Sequence, residues 1–442
     1  MYFQSQKPCC SIALLAFALL SVAKTEAANW SITPSNTTVL DTSSVFFAVE
    51  EMSGVAHLGP SPVPGQHRFL TVQDDGTGVV AFDAAFDLSG NLVSAVALSE
   101  LALNPGLDQE GIAIVSEMVF VGDENGPGVR QFDLATGSQV QNVDIPSVFA
   151  NRRSNRGFES LAYDEPNSRL WTANEEALTV DGPASTTSAG TTVRLLELPL
   201  EGNTVTAGQQ FAYEVEPIHG LAISGARSGL ADLVVLPDGS LLALERSAAG
   251  ALPGILNSIY EIDFTDATDI STDQFDDGLD GEIFAPVKKQ LLWSGGVASD
   301  FTGSNLEGLT VGPQLPNGDW VLLGVVDNGG SGANTIASFV ASPTIPIPLD
   351  EDSADFDTDG IVNGADFLTW QRGEGARTLA APEHGDANRD GLVDDDDLTI
   401  WQTQFSSSTI TTINVPEPSA FALISLSCLF VGLIRQKSRS KC

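Results

Sequence analysis

The stretch NRGFESLAYD, residues 155–164, contains a short core that recurs along the first 340 residues: an acidic residue, then Gly or Ser, then an aliphatic residue and often Ala. Five segments fit one template, although the fourth is more degenerate, with Leu233 directly after Asp232. In each, the core is followed by a turn, an apolar strand that ends in acidic or amide residues, and a third strand. The leading carboxylates of the five copies are Glu51, Glu110, Glu159, Asp232 and Glu307.

The spacing of these copies predicts an all-β fold, a β-propeller over residues 29–342. The leading carboxylates are 59, 49, 73 and 75 residues apart, and a four-stranded blade takes about 40–50 residues. The two longer gaps hold insertions or conceal a blade. Roughly 310 residues at about 50 per blade predict six blades, of which five are visible as repeats.

Radial stacking of blades places the innermost strands around a shared channel. Equivalent carboxylates would then form a ring in that channel, with a second acidic set at the ends of the second strands. The predicted ring is Glu110, Glu159, Asp232 and Glu307, and the predicted second set is Glu124, Glu175, Glu245 and Asp327.

Three stretches, at residues 155–164, 231–246 and 305–312, resemble the phytase-like propeller family, described by its esterase-like activity of phytase. The resemblance covers roughly residues 40–342. It implies a propeller with hydrolase activity on phosphoric or carboxylic esters.

Charge restricts the partners. The chain has 58 Asp and Glu against 20 Lys and Arg, a net charge of -38, which repels nucleic acid. A ring of acids also repels phosphate, but it suits calcium, which can bridge to a phosphate ester substrate.

The predicted catalytic residues are therefore carboxylates that hold cations or act as general base, together with arginines that pair with substrate oxygens. The carboxylates are Glu110, Glu159, Glu307 and Glu175, and the arginines are Arg156, Arg246 and Arg153. The alternative is structural: a buried Glu at the start of each inner strand accepts backbone N–H groups from the neighbouring blade.

Beyond a Pro-rich linker at residues 343–350, two acidic loops begin 31 residues apart. Each has oxygen donors at the positions by which a 12-residue loop binds calcium, with Gly at position 6. The predicted ligands of the first loop are Asp355, Asp357, Asp359, Ile361, Asn363 and Asp366. Those of the second are Asp386, Asn388, Asp390, Leu392, Asp394 and Asp397.

Each loop leads into an apolar helix, so residues 351–406 resemble a type I dockerin. That resemblance implies a helical module that folds on two calcium ions and docks to a cohesin-like partner. The alternative is that both loops are merely acidic turns.

The two termini predict export. Residues 1–28 have the form of a secretory signal peptide, with an apolar run from Ser11 to Ala23, which is shorter than the roughly 20 residues of a membrane span. After a linker at 407–415, residues 416–442 resemble a PEP-CTERM sorting signal: a short motif, an apolar run and a basic cluster. A single-span anchor is the alternative, and in either case membrane contact is limited to this tail.

Two functions remain open from the sequence. One is a secreted or surface-attached, calcium-assisted ester hydrolase. The other is a non-catalytic surface propeller that binds a ligand or partner, in an extracellular assembly that degrades polysaccharides. A propeller fold hosts both kinds of function.

Overall fold

A computed structural model describes residues 28–407 except 75, 77, 125, 127, 251–252, 297–303, 331, 346 and 348–349. Residues 1–27 of the predicted signal peptide and residues 408–442 of the predicted linker and sorting tail lie outside the described residues. Two compact units are present within the described ranges, one of residues 28–61 and 66–347 and one of residues 62–65 and 350–407. No helix in these ranges is long and apolar enough to cross a membrane.

The larger unit is a β-propeller whose described strands form five antiparallel sheets, or blades. The first strand, β1 (Trp30–Val39), belongs to the last blade. Blade 1 consists of β2 (Met52–Pro60), β3 (His67–Gln73), β4 (Gly78–Phe86) and β5 (Leu92–Ala102). Blade 2 consists of β6 (Gln109–Val115), β7 (Met118–Asp123), β8 (Gly128–Asp133) and β9 (Gln139–Val143). Blade 3 consists of β10 (Ala162–Asp164), β11 (Arg169–Ala173), β12 (Thr191–Glu201), β13 (Thr204–Val205) and β14 (Gln210–Val215). Blade 4 consists of β15 (Arg227–Val235), β16 (Leu241–Ala248), β17 (Ile255–Asp263) and β18 (Lys288–Gly295). Blade 5 consists of β19 (Asn305–Gln314), β20 (Trp320–Asp327), β21 (Thr335–Pro343) and β1.

The prediction of six blades is wrong: the described strands form five. Each of the five sequence copies corresponds to one blade. The longer gaps contain loops rather than a hidden sheet, chiefly residues 174–190 within blade 3 and residues 264–287 within blade 4. Because β1 pairs with β21 from Trp30↔Pro343 to Val39↔Thr335, the last blade is completed by the N-terminal strand.

Close packing of the innermost strands explains the Gly of the repeated core in blades 2 and 5. A Cβ atom at Gly111 would lie 2.5 Å from the carbonyl carbon of Ser160, and one at Gly308 would lie 2.3 Å from the carbonyl oxygen of Ser53. Both contacts are with the neighbouring blade. A side chain at Gly111 or Gly308 would force the blades apart, since real Cβ atoms do not approach backbone this closely.

Apolar side chains from adjacent blades form the core. One cluster joins blades 4 and 5, a second joins blades 3 and 4, a third joins blades 2 and 3, and a fourth joins blades 1 and 2. All five innermost strands line a cavity of about 420 Å³. Its lining includes five aliphatic residues at equivalent positions in the blades: Val55, Ile112, Leu161, Leu233 and Leu309.

His57 lies on the innermost strand of blade 1 and stacks on Phe69, with ring centroids 4.8 Å apart. Its Nε2 atom is enclosed and has no hydrogen-bond partner among the described residues. Burial, with a smaller contribution from His67, lowers the pKa of His57 to about 3. The imidazole is therefore neutral in the folded protein at neutral pH.

His57→Phe is expected to make the protein more resistant to acid. An unfolded histidine takes up a proton near pH 6.5, so the unfolded state binds more protons than the folded state between pH 6.5 and 3. Stability that is present above pH 6.5 is thus lost as the pH falls toward 3. Between pH 7 and pH 4 the wild-type free energy of unfolding should fall by about 3 kcal/mol more than that of the variant. Urea titrations at both pH values measure the difference, and equal losses would contradict the assignment.

The smaller unit contains two helices, α1 (Gly364–Gly373) and α2 (Asp395–Ser407). A buried apolar cluster that includes Phe356, Trp370 and Val393 forms its core. The indole of Trp370 donates to the carbonyl of Asp394 at 2.8 Å, and the indole of Trp401 donates to the carbonyl of Asn363 at 2.9 Å. Each helix thus binds the loop that precedes the other helix, which is the symmetry expected of a duplicated loop-helix segment.

Candidate functional site

One cross-strand pair in each blade aligns the five innermost strands with their neighbours: Met52↔Gln73, Gln109↔Asp123, Phe158↔Asn174, Leu230↔Glu245 and Leu306↔Val326. Along the chain, the residues that directly follow the first members of these pairs are Ser53, Glu110, Glu159, Ala231 and Glu307. Those that directly follow the second members are Asp74, Glu124, Glu175, Arg246 and Asp327. We call these ten positions the polar end of the channel.

The polar end confirms the repeat, but in blade 4 the residues at the ring position and in the second set differ from those predicted. Ala231, rather than Asp232, occupies the ring position, and Arg246, rather than Glu245, occupies the second set. Asp232 instead takes the place of the small residue. Its buried carboxylate accepts the backbone N–H of Leu309 at 2.7 Å and that of Leu233 at 2.8 Å, so it joins blades 4 and 5. Burial raises the pKa of Asp232 well above its usual value.

Three guanidinium groups converge on the carboxylate of Glu175. The distances are 2.5 Å from Nη2 of Arg246, 2.9 Å from Nε of Arg156 and 3.4 Å from Nε of Arg227. Burial opposes ionisation, but these three charges hold the pKa of Glu175 below its usual value. Glu175 is therefore an anion whose charge is more than balanced.

Arg246 links this group to blade 5. Its Nη1 donates to Glu307 and, at 3.1 Å, to the side-chain oxygen of Asn305. Asn305 in turn donates to Glu307 and to Asp327, both at 2.8 Å. Arg246 is 5% exposed, whereas the side chains of Arg156 and Arg227 are 22% and 34% exposed. The latter two are the guanidinium groups that a ligand can reach.

A cluster of carboxylates lies on the blade 1 and blade 2 side. Oxygens of Asp74, Asp108 and Glu110 lie within 4.8 Å of one another, close enough to bind one cation. Glu110 is buried and accepts a hydrogen bond from Ser53. Burial raises the pKa of Glu110 well above its usual value, and the charges of Asp74, Glu124 and Asp108 add to the rise. These three oxygen donors fit a hard cation such as calcium.

Glu159 lies between the two groups and interacts electrostatically with Glu110, Glu175 and Arg246. It is buried, and burial raises its pKa well above the usual value, with further contributions from Glu110 and Glu175. Glu124 is also buried, and its pKa is raised by burial as well. The raised pKa of Glu159 favours its protonated form, which can donate a hydrogen bond or a proton.

Six of the seven predicted catalytic residues lie together at or beside the polar end: Glu110, Glu159, Glu307, Glu175, Arg156 and Arg246. Arg153 instead binds the backbone of the 174–190 loop. Its guanidinium donates to the carbonyls of Ala177 at 3.0 Å and Gly182 at 2.8 Å. Sequence reasoning did not select Asp74, Asp108 or Arg227. Asp108 had a signal, since it precedes Glu110 by two residues, but the position of Arg227 opposite Glu175 depends on three-dimensional packing.

The two acidic loops of the smaller unit have the same internal hydrogen bonds. In the first, Asp355 accepts from the N–H groups of Asp359 and Gly360, at 3.1 and 2.8 Å. In the second, Asp386 accepts from Asp390 and Gly391, at 3.2 and 2.9 Å. Both loops are therefore wrapped around a carboxylate at position 1.

The last position of each loop also repeats. Asp366 accepts from Phe356 at 2.8 Å and Asn363 at 2.7 Å, and Asp397 accepts from Ala387 and Asp394, both at 2.8 Å. The carboxylates of Asp355, Asp357 and Asp359 lie within 4.8 Å of one another. This donor set fits calcium.

Solved structures with a similar arrangement share little sequence with this chain. They include a hydrazine synthase from Kuenenia stuttgartiensis (12% identity, 70% of this chain and 69% of that chain, TM-score 0.31). A PQQ-bound aldose sugar dehydrogenase from Streptomyces coelicolor has 12% identity, covers 72% and 99%, and has a TM-score of 0.33. An N-acetylgalactosamine deacetylase from F. plautii has 11% identity, covers 72% and 97%, and has a TM-score of 0.35. Similarity this low carries no argument about function.

No curated protein matches the chain. The phytase-like family, described as esterase-like activity of phytase, matches residues 48–330, which span all five innermost strands and the polar end of the channel. The match covers more than half of the sequence. The chain therefore belongs to the phytase-like family.

Proposed function

We propose that the propeller is a calcium-assisted phosphoester hydrolase whose active site is the polar end of the channel. The observation that carries the proposal is the separation of charge there. Accessible guanidinium groups of Arg156 and Arg227 lie on the side of Glu175, and the Asp74–Asp108–Glu110 cluster supplies oxygen donors for a cation. A phosphate ester bound beside a divalent cation complements this arrangement, with its negative oxygens at the arginines and the cation at the carboxylates.

Each group has a defined role in this proposal. Asp74, Asp108 and Glu110 hold calcium, which when bound neutralises negative charge and polarises a phosphoryl oxygen. Arg156 and Arg227 bind the remaining phosphate oxygens, since a guanidinium fork matches phosphate geometry. Water attacks the phosphorus as the bond to the alcohol breaks, and protonated Glu159 donates a proton to the leaving oxygen and regains one from the attacking water. Arg246 fixes Glu175 and Glu307 in place and so orients the two accessible arginines.

A second candidate is a propeller that binds a ligand without catalysis. It is favoured by the extent of pairing at the polar end, where Arg246 contacts Glu175, Glu307 and Asn305 and leaves little unpaired charge. Such networks also occur as purely structural features.

For the smaller unit we propose a dockerin-like role: residues 351–406 bind two calcium ions and dock to a cohesin-like partner. The support is the duplicated loop geometry around Asp355 and Asp386. We further propose that residues 1–28 direct export, and that residues 416–442 anchor the protein at the cell surface or release it outside the cell. An extracellular site agrees with calcium dependence, because free calcium is abundant there.

Arg227→Gln is expected to raise KM for a phosphate monoester about 10- to 100-fold, because a charge-assisted hydrogen bond contributes about 1.5–3 kcal/mol. Phosphate release by the full chain is measured with calcium and with a chelator over a panel of phosphate and carboxylic esters. Arg169→Gln is the matched control, since Arg169 is similarly exposed at 29% and pairs with Asp164 and Glu197 away from the site. Absence of calcium-dependent phosphate release from every substrate would contradict the hydrolase and favour the binding protein.

A further inference from the structure

Ser247 and His219 form a hydrogen-bonded pair that the channel site does not use. The hydroxyl oxygen of Ser247 lies 2.8 Å from Nδ1 of His219. Ser247 is on β16 directly after Arg246, and successive side chains of a strand point to opposite faces of the sheet. The pair therefore lies on the face of blade 4 that is turned away from Arg246.

The partner of the second ring nitrogen defines the tautomer of His219. Nε2 lies 2.8 Å from the carbonyl oxygen of Pro253. A carbonyl only accepts, so Nε2 carries the hydrogen and Nδ1 of the neutral ring is an acceptor. The hydroxyl of Ser247 must then donate to Nδ1. This is the arrangement of a nucleophile, a general base and a group that orients the base.

A hydroxyl donor lies across the strand pair. Ser228 is directly opposite Ser247 in the pairing of β15 with β16, so both side chains point to the same face. Ser228 is 1% exposed, and within the described ranges its Oγ has no hydrogen-bond partner. Its hydroxyl is available to donate to an oxygen that develops negative charge next to Ser247.

The segment after His219 presents apolar side chains to solvent. Leu221 and Ile223 are 68% and 57% exposed. The carbonyl of Leu221 accepts the N–H of Gly250 at 2.8 Å, which holds this segment against the chain that follows Ser247. An apolar acyl or alkyl group that packed on this segment would cover these side chains, and each fully buried aliphatic side chain contributes about 1.5–3 kcal/mol.

We propose that Ser247 and His219 are the nucleophile and general base of a second hydrolytic site, which acts on carboxylic esters with an apolar chain. Oγ of Ser247 bonds to the ester carbonyl carbon while its proton passes to Nδ1 of His219. The carbon–oxygen bond to the alcohol breaks, and the alcohol leaves with the proton from Nδ1. Water then attacks the acyl-serine, gives a proton to Nδ1, and releases the carboxylic acid as that proton returns to Oγ. No metal takes part, so this activity is separate from the proposed phosphoester hydrolysis.

The test uses a fluorophosphonate probe and a p-nitrophenyl ester of a medium-chain fatty acid with the full-length protein, in the presence of a chelator. The probe is expected to form an adduct on Ser247, located by mass spectrometry of peptides, and the ester is expected to be hydrolysed. Ser247→Ala should abolish both. His219→Gln should lower the rate of ester hydrolysis by about 100-fold or more, because the general base is lost.

Ser258→Ala is the matched control. Ser258 is a buried serine of the same blade whose hydroxyl bonds to Ser294 at 2.8 Å instead of to a histidine, so the variant should keep the ester activity. Thermal unfolding of each variant reports whether it is folded. Absence of an adduct on Ser247 in the wild-type protein, or full ester hydrolysis by folded Ser247→Ala, would overturn the proposal. Loss of phosphate release alone would bear on the channel site and not on this one.

Discussion

Replacing Glu159 with glutamine is expected to lower the rate of phosphate release about 100- to 10,000-fold, the usual contribution of a general acid. Glutamine has nearly the shape of a protonated Glu159 and is neutral, so the buried surroundings should tolerate it. It cannot transfer a proton to the leaving oxygen. The wild-type rate should fall as the pH rises through the raised pKa of Glu159, because the acid form is lost. The residual activity of the variant should lack this alkaline decline.

Glu165→Gln is the control for this prediction, since Glu165 is an exposed carboxylate just beyond β10. It should keep the wild-type rate and pH profile. The pH profile separates a chemical role from a structural one. A variant that is less stable yet keeps the wild-type rate and alkaline decline would show that Glu159 holds blades together and does no chemistry.

Removal of calcium from the full chain is expected to unfold residues 351–407 and leave the propeller strands intact. The two loops concentrate carboxylates such as Asp355, Asp357 and Asp359, which repel one another without a cation. A ligand at 100 times its dissociation constant stabilises the folded state by about 2.7 kcal/mol for each site. Amide hydrogens of α1 and α2 should then lose about 100-fold or more of their protection from exchange.

Hydrogen exchange followed by mass spectrometry measures both units in one experiment. The double variant Asp355→Asn and Asp386→Asn should reproduce the effect of the chelator even in calcium. Asp273→Asn, which changes an exposed carboxylate of the propeller loops, should not. Unchanged exchange of α1 and α2 after chelation would mean that these loops are acidic turns and that the apolar core around Trp370 suffices.

The blade repeat could be predicted because each copy has the same order of strand, turn and strand, and each of the five copies corresponds to one blade. The number of blades could not be predicted from the sequence, since the spacing of the repeats alone does not distinguish a hidden sheet from long loops such as 264–287. The sequence also did not predict which residue of blade 4 occupies the ring position. The β-bulge between Leu230 and Asp232 shifts the register by one residue, and only pairing with β16 reveals that Ala231 is the ring residue.

The site was predictable where it follows the repeat and unpredictable where it depends on loops. Glu110, Glu159 and Glu307 occupy repeat positions, and Arg246 follows one. Arg227 and the Ser247–His219 pair have no periodic signal, because His219 belongs to a loop whose path is set by contacts with Pro253 and Gly250. A search for serine motifs along the sequence fails when the two partners lie 28 residues apart.

The union of β1 with β21 governs the order in which the molecule can be assembled. Their first paired residues, Trp30 and Pro343, are more than 300 residues apart. Pairing β1 with β21 therefore has the largest entropic cost of loop closure among the described strand pairings of the propeller. Until β21 emerges, β1 has no partner, and until β1 arrives, β21 is an open edge able to pair with another chain. Before β1 pairs with β21, the propeller is therefore an open ring that its own first strand has yet to close. A high concentration of incompletely folded molecules favours strand pairing between chains most strongly just before β1 pairs with β21.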